Sequence, residues 1–300
     1  MYRAMKSTLE RIGLFAAVLL AAAGCERGAP ELAPVTVVDG FAAPESVYFD
    51  PPSRRWFVSN VGASGTNGDG FVSALDADGN VLDRELVAGL DDPKGIRVHD
   101  GVLFVADVTV LVRVPLDSPA DAVRVAIPEA VFLNDVAVDA RSGDVFVSDT
   151  FGNAIYRVRG DEVSVVLRSA ELQAPNGLLA AGGSLVIATI GPDLDPATFM
   201  TSAPGRLLHL DLASLELTPL SEEIGTLDGL EPLDRGFVVS DFFVGLYYVG
   251  PGAAPALILD NAEQGLGSSA DIGLARSLRT IAVPELTGTR VLFYRYGWPD

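Results

Sequence analysis

LNDVAVDARSGDVFVSD, residues 133–149, carries two short apolar runs around a polar Ser142-Gly143 turn, and it has a polar residue near each end. Two β-prone runs flanking such a turn read as a hairpin. Five other segments repeat the plan: PESVYFDPPSRRWFVSN (44–60), PKGIRVHDGVLFVAD (93–107), PNGLLAAGGSLVIAT (175–189), LDGLEPLDRGFVVSD (227–241) and ADIGLARSLRTIAVP (270–284). Their starts lie 40 to 52 residues apart. A third apolar strand follows each hairpin, at 71–75, 111–115, 155–158, 206–210, 246–249 and 290–294. A fourth follows in five units, at 85–90, 122–127, 163–167, 216–220 and 256–259. The sixth unit has no fourth strand of its own, and Pro34–Val38 can supply it. Repeats of this period mean a closed or stacked array. Four strands per unit and a strand borrowed from the N-terminal side predict an all-β, six-bladed propeller whose last blade is sealed by the N-terminal strand. A sandwich does not explain six copies of one pattern, and β-helix repeats are shorter.

The bulk numbers agree with one large β domain over residues 34–300. Of 300 residues, 49% are hydrophobic and 20% charged, and the 31 glycines and 19 prolines are spread along the chain as turn residues. The net charge of −19 repels phosphate backbones, so no nucleic-acid partner is expected.

Residues 1–24 have the marks of an export signal. Arg3, Lys6 and Arg11 precede an apolar run, Ile12 to Ala23, that is short for a bilayer span. It ends at Ala22-Ala23-Gly24-Cys25, which resembles a bacterial lipoprotein signal in which the cysteine is lipidated. Cys25 is the sole cysteine, so no disulfide and no cysteine nucleophile is available. The expectation is an exported protein on the periplasmic or cell-surface side, tied to a membrane only through a lipid on Cys25, with residues 25–33 as a tether.

In a propeller the first strand of each blade lines the axis. The six repeat starts therefore bring Glu45, Lys94, Asn134, Asn176, Asp228 and Asp271 to one channel mouth, although they are far apart in the chain. The second strands end behind them at Asn60, Asp107, Asp149, Thr189, Asp241 and Pro284. Carboxylate and amide oxygens are hard donors that suit Ca²⁺ better than zinc. Neither His99 nor His209 falls in the ring. Asn and Asp before Gly also serve as turn residues, and Asp107, Asp149 and Asp241 are expected to bond neighbouring backbone. The loops 61–70 and 190–205 are long and sit over the mouth; Phe199 and Met200 either form an apolar lid or pack on the loop base.

P-E-S at 44–46, L-N-D-V at 133–136, P-N-G-L at 175–178 and L-D-G-L at 227–230, in this order, resemble the regucalcin/gluconolactonase/luciferin-regenerating-enzyme superfamily of six-bladed propellers, and more distantly diisopropylfluorophosphatase and the paraoxonases. The resemblance spans roughly residues 34–296. It implies a divalent metal, often calcium, on Glu45, Asn176 and Asp228, with Asn134 either a fourth ligand or a substrate contact. It implies a metal-dependent hydrolase of a lactone or related ester acting on a small-molecule substrate, with Asp228 as base or nucleophile. Lys94 and Asp271 are then candidate substrate contacts, Lys94 either binding an anionic group or neutralising Asp271. Two positions depart from the family. The first-blade motif is P-E-S where E-G-P is usual. Phe132 stands where gluconolactonase-like enzymes hold a sugar acid with arginine. The alternative is a non-catalytic propeller acting as a surface-tethered binding or scaffold module.

Overall fold

Residues 28–299 are described by a computed structural model; the expected export signal and the expected lipidation site, Cys25, lie outside them. Strand β1 (Glu31–Val38) precedes the first blade. Blade 1 contains β2 (Pro44–Asp50), β3 (Arg55–Asn60), β4 (Gly70–Leu75) and β5 (Val81–Leu90). Blade 2 contains β6 (Pro93–His99), β7 (Val102–Asp107), β8 (Val110–Pro115) and β9 (Val123–Ala126). Blade 3 contains β10 (Leu133–Val138), β11 (Val145–Asp149), β12 (Ala154–Arg159) and β13 (Glu162–Arg168). Blade 4 contains β14 (Pro175–Ala181), β15 (Ser184–Thr189), β16 (Leu207–Asp211) and β17 (Leu217–Pro219). Blade 5 contains β18 (Leu227–Leu233), β19 (Gly236–Asp241), β20 (Gly245–Val249) and β21 (Ala256–Asp260). Blade 6 contains β22 (Gly273–Ala275), β23 (Thr280–Pro284) and β24 (Val291–Gly297). The sheets are six antiparallel four-stranded units, and the sixth runs β1-β24-β23-β22. This is the expected propeller with the expected closure. The closing strand starts earlier than its apolar alternation suggests: Glu31 pairs with Gly297 and Ala33 with Arg295, so residues 31–33 belong to the sheet. Among the described residues no helix is long and apolar enough to cross a membrane.

The core does not lie within blades. Each of six hydrophobic clusters is shared by two neighbours. Phe104 and Leu111 of blade 2 pack with Leu133, Val147 and Tyr156 of blade 3. Across the closing interface, Trp56 and Phe49 of blade 1 meet Phe293 of blade 6, with Trp56 fully buried and its ring centroid 4.8 Å from Phe49 and 5.3 Å from Phe293. A lone four-stranded sheet cannot bury both faces, so the blades are stable only as a ring. Removing a buried indole of this kind costs about 3–5 kcal/mol.

The short motifs of the repeat are inter-blade devices. Serines in the second strands bond to the next blade: Ser148 Oγ donates to the Asn176 carbonyl at 2.7 Å, and Ser240 Oγ to the Ala270 carbonyl at 2.8 Å. The acidic residue one place on caps the incoming loop. Asp107 accepts from the Asp91 and Asp92 amides, Asp149 from Val131, Phe132 and Gly152, and Asp241 from Phe243 and Val244. These carboxylates hold the backbone that delivers each first strand or leaves each second, as their turn chemistry suggested. Glycine at the third position of the first strand lets neighbouring blades touch: a Cβ on Gly177 would sit 2.2 Å from the Asp228 carbonyl oxygen, and one on Gly95 2.5 Å from the Asp135 Cα.

Candidate functional site

First-strand starts pair with second-strand ends at one face: Pro44 with Asn60, Pro93 with Asp107, Leu133 with Asp149, Pro175 with Thr189 and Leu227 with Asp241. In blade 6 the Ala270 amide donates to the Pro284 carbonyl at 3.1 Å. The residue after each of these starts is therefore Glu45, Lys94, Asn134, Asn176, Asp228 and Asp271, the six positions of the repeat. All six are buried, between 2% and 8% exposed, although each carries a charge or an amide. In blades 1 to 5 the pairing of the first strand shifts register just beyond this point, and such a bulge re-aims the side chains beside it.

The amides are oriented by the protein. Asn176 Nδ2 donates to the Leu227 carbonyl at 3.2 Å, and Asn134 Nδ2 donates to Thr150 Oγ1 at 3.1 Å. Thr150 Oγ1 in turn donates to the Pro175 carbonyl at 2.8 Å. With their nitrogens committed, both side chains have their oxygens to offer. Asn176 Oδ1 and Glu45 Oε2 are buried and find no donor. Leaving such oxygens unpaired costs about 1–3 kcal/mol each, more if charged. Burial raises the Glu45 carboxyl well above its ordinary range, and Asp228 adds repulsion, with Lys94 opposing and Asp271 and Asp135 reinforcing. Asp228 is likewise raised well above its range, by burial first and then by Asp271 and Asp135, against Lys94 and a hydrogen bond from Asn176. Lys94 Nζ pairs with Asp92 Oδ1 at 3.0 Å and lies 4.9 Å from the centroid of the Phe132 ring.

Two carboxylates, two amide oxygens and unpaired acceptor atoms fit a hard divalent cation held by Glu45, Asn176 and Asp228, with Asn134 alongside. Among the described residues no group of three or more His, Cys, Asp or Glu side chains is arranged to hold a metal, so a cation here would depend on the amides as much as on the acids.

Below the ring lies a second polar layer that the repeat positions alone did not reveal. Three residues along from Glu45, Lys94 and Asp228, the first strands carry Tyr48, Arg97 and Glu231. Arg97 is 7% exposed. Its guanidinium lies 3.4 Å from Asp271 Oδ2, 3.6 Å from Asp135 Oδ2 and 3.8 Å from Glu231 Oε1, and 5.5 Å from the centroid of the Tyr48 ring. Burial opposes the charge on Arg97, and Asp135, Asp271 and Glu231 outweigh it, so the guanidinium stays charged. Burial pushes Asp135 up to about 7 against the pull of Arg97, and Glu231 also to about 7 for the same reasons. Asp135 ties blades 3 and 4 together by accepting from the Leu178 amide at 2.6 Å. Asp271, at the ring register, spends one oxygen on Ser46 Oγ and Arg97, which links the ring to the layer below. The sequence carried only half of the signal: Arg97 alternates with the core residues Ile96 and Val98, which puts it on the other face of its strand, and that this face looks into the channel follows only from closure of the ring.

His99 ends β6 at the opposite face beside Asp100, and His209 sits in the third strand β16. Neither joins the ring.

No protein-family profile matches the chain, and no characterised protein is found as a sequence relative. Solved structures do match over nearly the whole domain. A gluconolactonase from Xanthomonas campestris superposes with a TM-score of 0.64 at 14% identity, over 90% of this chain and 98% of that one. A catalytically inactive histidine-to-alanine variant of virginiamycin B lyase from Staphylococcus aureus, with quinupristin, gives 0.59 at 10% identity, over 89% and 99%. A streptogramin B lyase gives 0.58 at 10% identity, over 90% and 98%. At these identities the likeness is one of fold: the chain has the propeller architecture on which gluconolactonases are built.

Proposed function

We propose that the chain is a divalent-cation-dependent hydrolase of a lactone or related ester, acting at the channel mouth. The observation that carries this reading is that Glu45 Oε2 and Asn176 Oδ1, like Asp271 Oδ1 at the same register, are buried acceptor atoms without donors, beside the carboxyl of Asp228 on another blade. A bound cation, Ca²⁺ by its taste for oxygen donors, would polarise the ester carbonyl. Glu45, Asn176 and Asp228 would hold it. Asn134, fixed by Thr150, presents its oxygen either to the cation or to a substrate hydroxyl. Asp228 acts as base toward water or as nucleophile, and both roles need it ionised; Lys94 favours that state. The likeness to gluconolactonase supports the reaction class. The lyase likeness carries less, because an inactive histidine variant marks that chemistry and this chain has no ring histidine. With the sequence reading of residues 1–25, the enzyme is an exported one held to a membrane by lipid on Cys25.

The test is calorimetric titration of Ca²⁺ into the metal-stripped protein beside Glu45→Ala and Asp228→Ala, followed by a lactone panel. One-to-one binding lost in both variants, with turnover that needs the ion, is expected. No binding and no change in melting temperature on adding Ca²⁺ would leave a non-catalytic binding module instead.

A further inference from the structure

Three phenylalanines run outward from the ring. Phe132 directly precedes β10, and Phe151 follows β11 by two residues, so both stand at the mouth. Their centroids are 4.5 Å apart with planes stacked at 30°. Phe199, from the long loop between β15 and β16, lies 5.5 Å from Phe151. The first two rings are half-buried, while Phe199 is 46% and its neighbour Met200 68% exposed. Large apolar side chains left open to water beside a polar site mark a binding surface.

The outer ring is held in place. Phe199 has φ +55, a conformation disfavoured for an aromatic residue. Asp195 sustains it: the Asp195 carbonyl accepts from the Phe199 amide at 2.8 Å, and the Asp195 side chain accepts from the Ala197 amide at 2.9 Å and Thr198 Oγ1 at 2.9 Å. The Asp195 amide donates to the Met200 carbonyl at 2.9 Å. At the inner end, Lys94 both contacts the Phe132 ring and acts electrostatically on Glu45 and Asp228. The series is thus continuous with the candidate ring.

Resting on the hydrolase reading above, we propose that Phe132, Phe151 and Phe199 form the acyl or aryl subsite of this enzyme, and that its substrates are uncharged lactones or esters bearing an aliphatic or aromatic tail. The polar ester would lie toward Glu45, Asn176 and Asp228, and the tail would run up the ring faces toward Met200. A polyhydroxylated or anionic sugar acid would gain little from three aromatic rings, and the chain's formal charge of −19 disfavours an anion.

The experiment compares kcat/KM for δ-valerolactone, δ-octalactone, δ-decalactone, δ-dodecalactone and glucono-δ-lactone in the wild type, Phe199→Ala and Phe199→Trp. Transfer of a methylene from water to an apolar surface predicts a gain of about two- to fourfold per added carbon. The slope should flatten in Phe199→Ala and persist in Phe199→Trp. Hydrolysis that is flat with chain length, or best with glucono-δ-lactone, overturns the subsite and leaves the hydrolase reading intact. If no lactone is turned over, the hydrolase reading fails, and calorimetry with δ-dodecalactone decides the subsite. Binding weakened by Phe199→Ala keeps it as a site for an apolar ligand, and no binding overturns it. A flat slope together with phosphatidylcholine-vesicle cosedimentation that Phe199→Ala abolishes would assign the aromatic rim to a lipid surface and also overturn the proposal.

Discussion

Replacing Arg97 with Met tests how far the layer beneath the ring is electrostatic. In the wild type Asp135 and Glu231 titrate at about 7, above their ordinary values, so the folded protein binds more protons than the unfolded chain between roughly pH 4 and 7. The stability they contribute is present at low pH, declines as pH rises through that window, and levels off above it. Arg97 is what keeps the two values from rising further. Without it, each acid escapes its repulsion by keeping a proton. At pH 8, one unit above 7, holding that proton costs about 1.4 kcal/mol per acid, or about 3 kcal/mol for the two. At pH 5 both are already protonated and the cost vanishes. Changes in packing against Tyr48, and relief of the guanidinium's own burial, are the same at both pH values. Arg97→Met should therefore lose about 3 kcal/mol more at pH 8 than at pH 5, comparable to breaking a buried ion pair. Urea unfolding of both proteins with chelator present, followed by the fluorescence of buried Trp56, measures this. Equal losses at pH 5 and pH 8 would refute the reasoning, because the cluster would then be held by shape and hydrogen bonds alone.

Two further outcomes follow from the site and its supports. Glu45→Gln removes a buried carboxyl that is raised well above its range by burial and Asp228; since such a group costs stability as pH rises, the chelated variant should melt higher than wild type at pH 8, by roughly 2–4 °C per kcal/mol relieved, while losing any stabilisation by Ca²⁺, and calorimetric scans with and without the ion read both effects. Asp149→Ala strips the acceptor from three backbone amides, so the protein should lose about 2–3 kcal/mol in urea unfolding, with Asp149→Asn losing less because one oxygen remains.

The propeller and the six ring positions were legible because a repeat fixes phase: once Asn134, Asn176 and Asp228 occupy the same place in three units, closure makes them neighbours whatever their separation. The layer below was harder to read. Arg97 stands among Ile96, Val98 and His99, a stretch that looks like an ordinary strand with one charged residue facing solvent, and Glu231 precedes a proline. Only the axis, which no local pattern names, turns their outward-looking alternation inward. Asp135 was masked differently, since a residue beside Asn134 reads as part of the same turn, whereas it reaches across to the Leu178 amide. The aromatic series was invisible for a third reason: Phe132, Phe151 and Phe199 lie on three loops, and loops carry no period from which contact can be inferred.

The seam between β1 and β24 also sets an order of events. Val38 pairs with Val291, so the strand that seals the ring is made early and its partner late. At about 5–20 residues per second, the partner strand is made on the order of tens of seconds after the early one. Blades 1 to 5 are complete in sequence before blade 6 is, but the face that Trp56 offers to Phe293 stays bare until the end. During that interval β1, with Val35 and Val37 on its surface, is a loose edge beside an unfinished arc. The ring therefore closes once, at completion, and the channel that gathers six blades' side chains exists only from that moment.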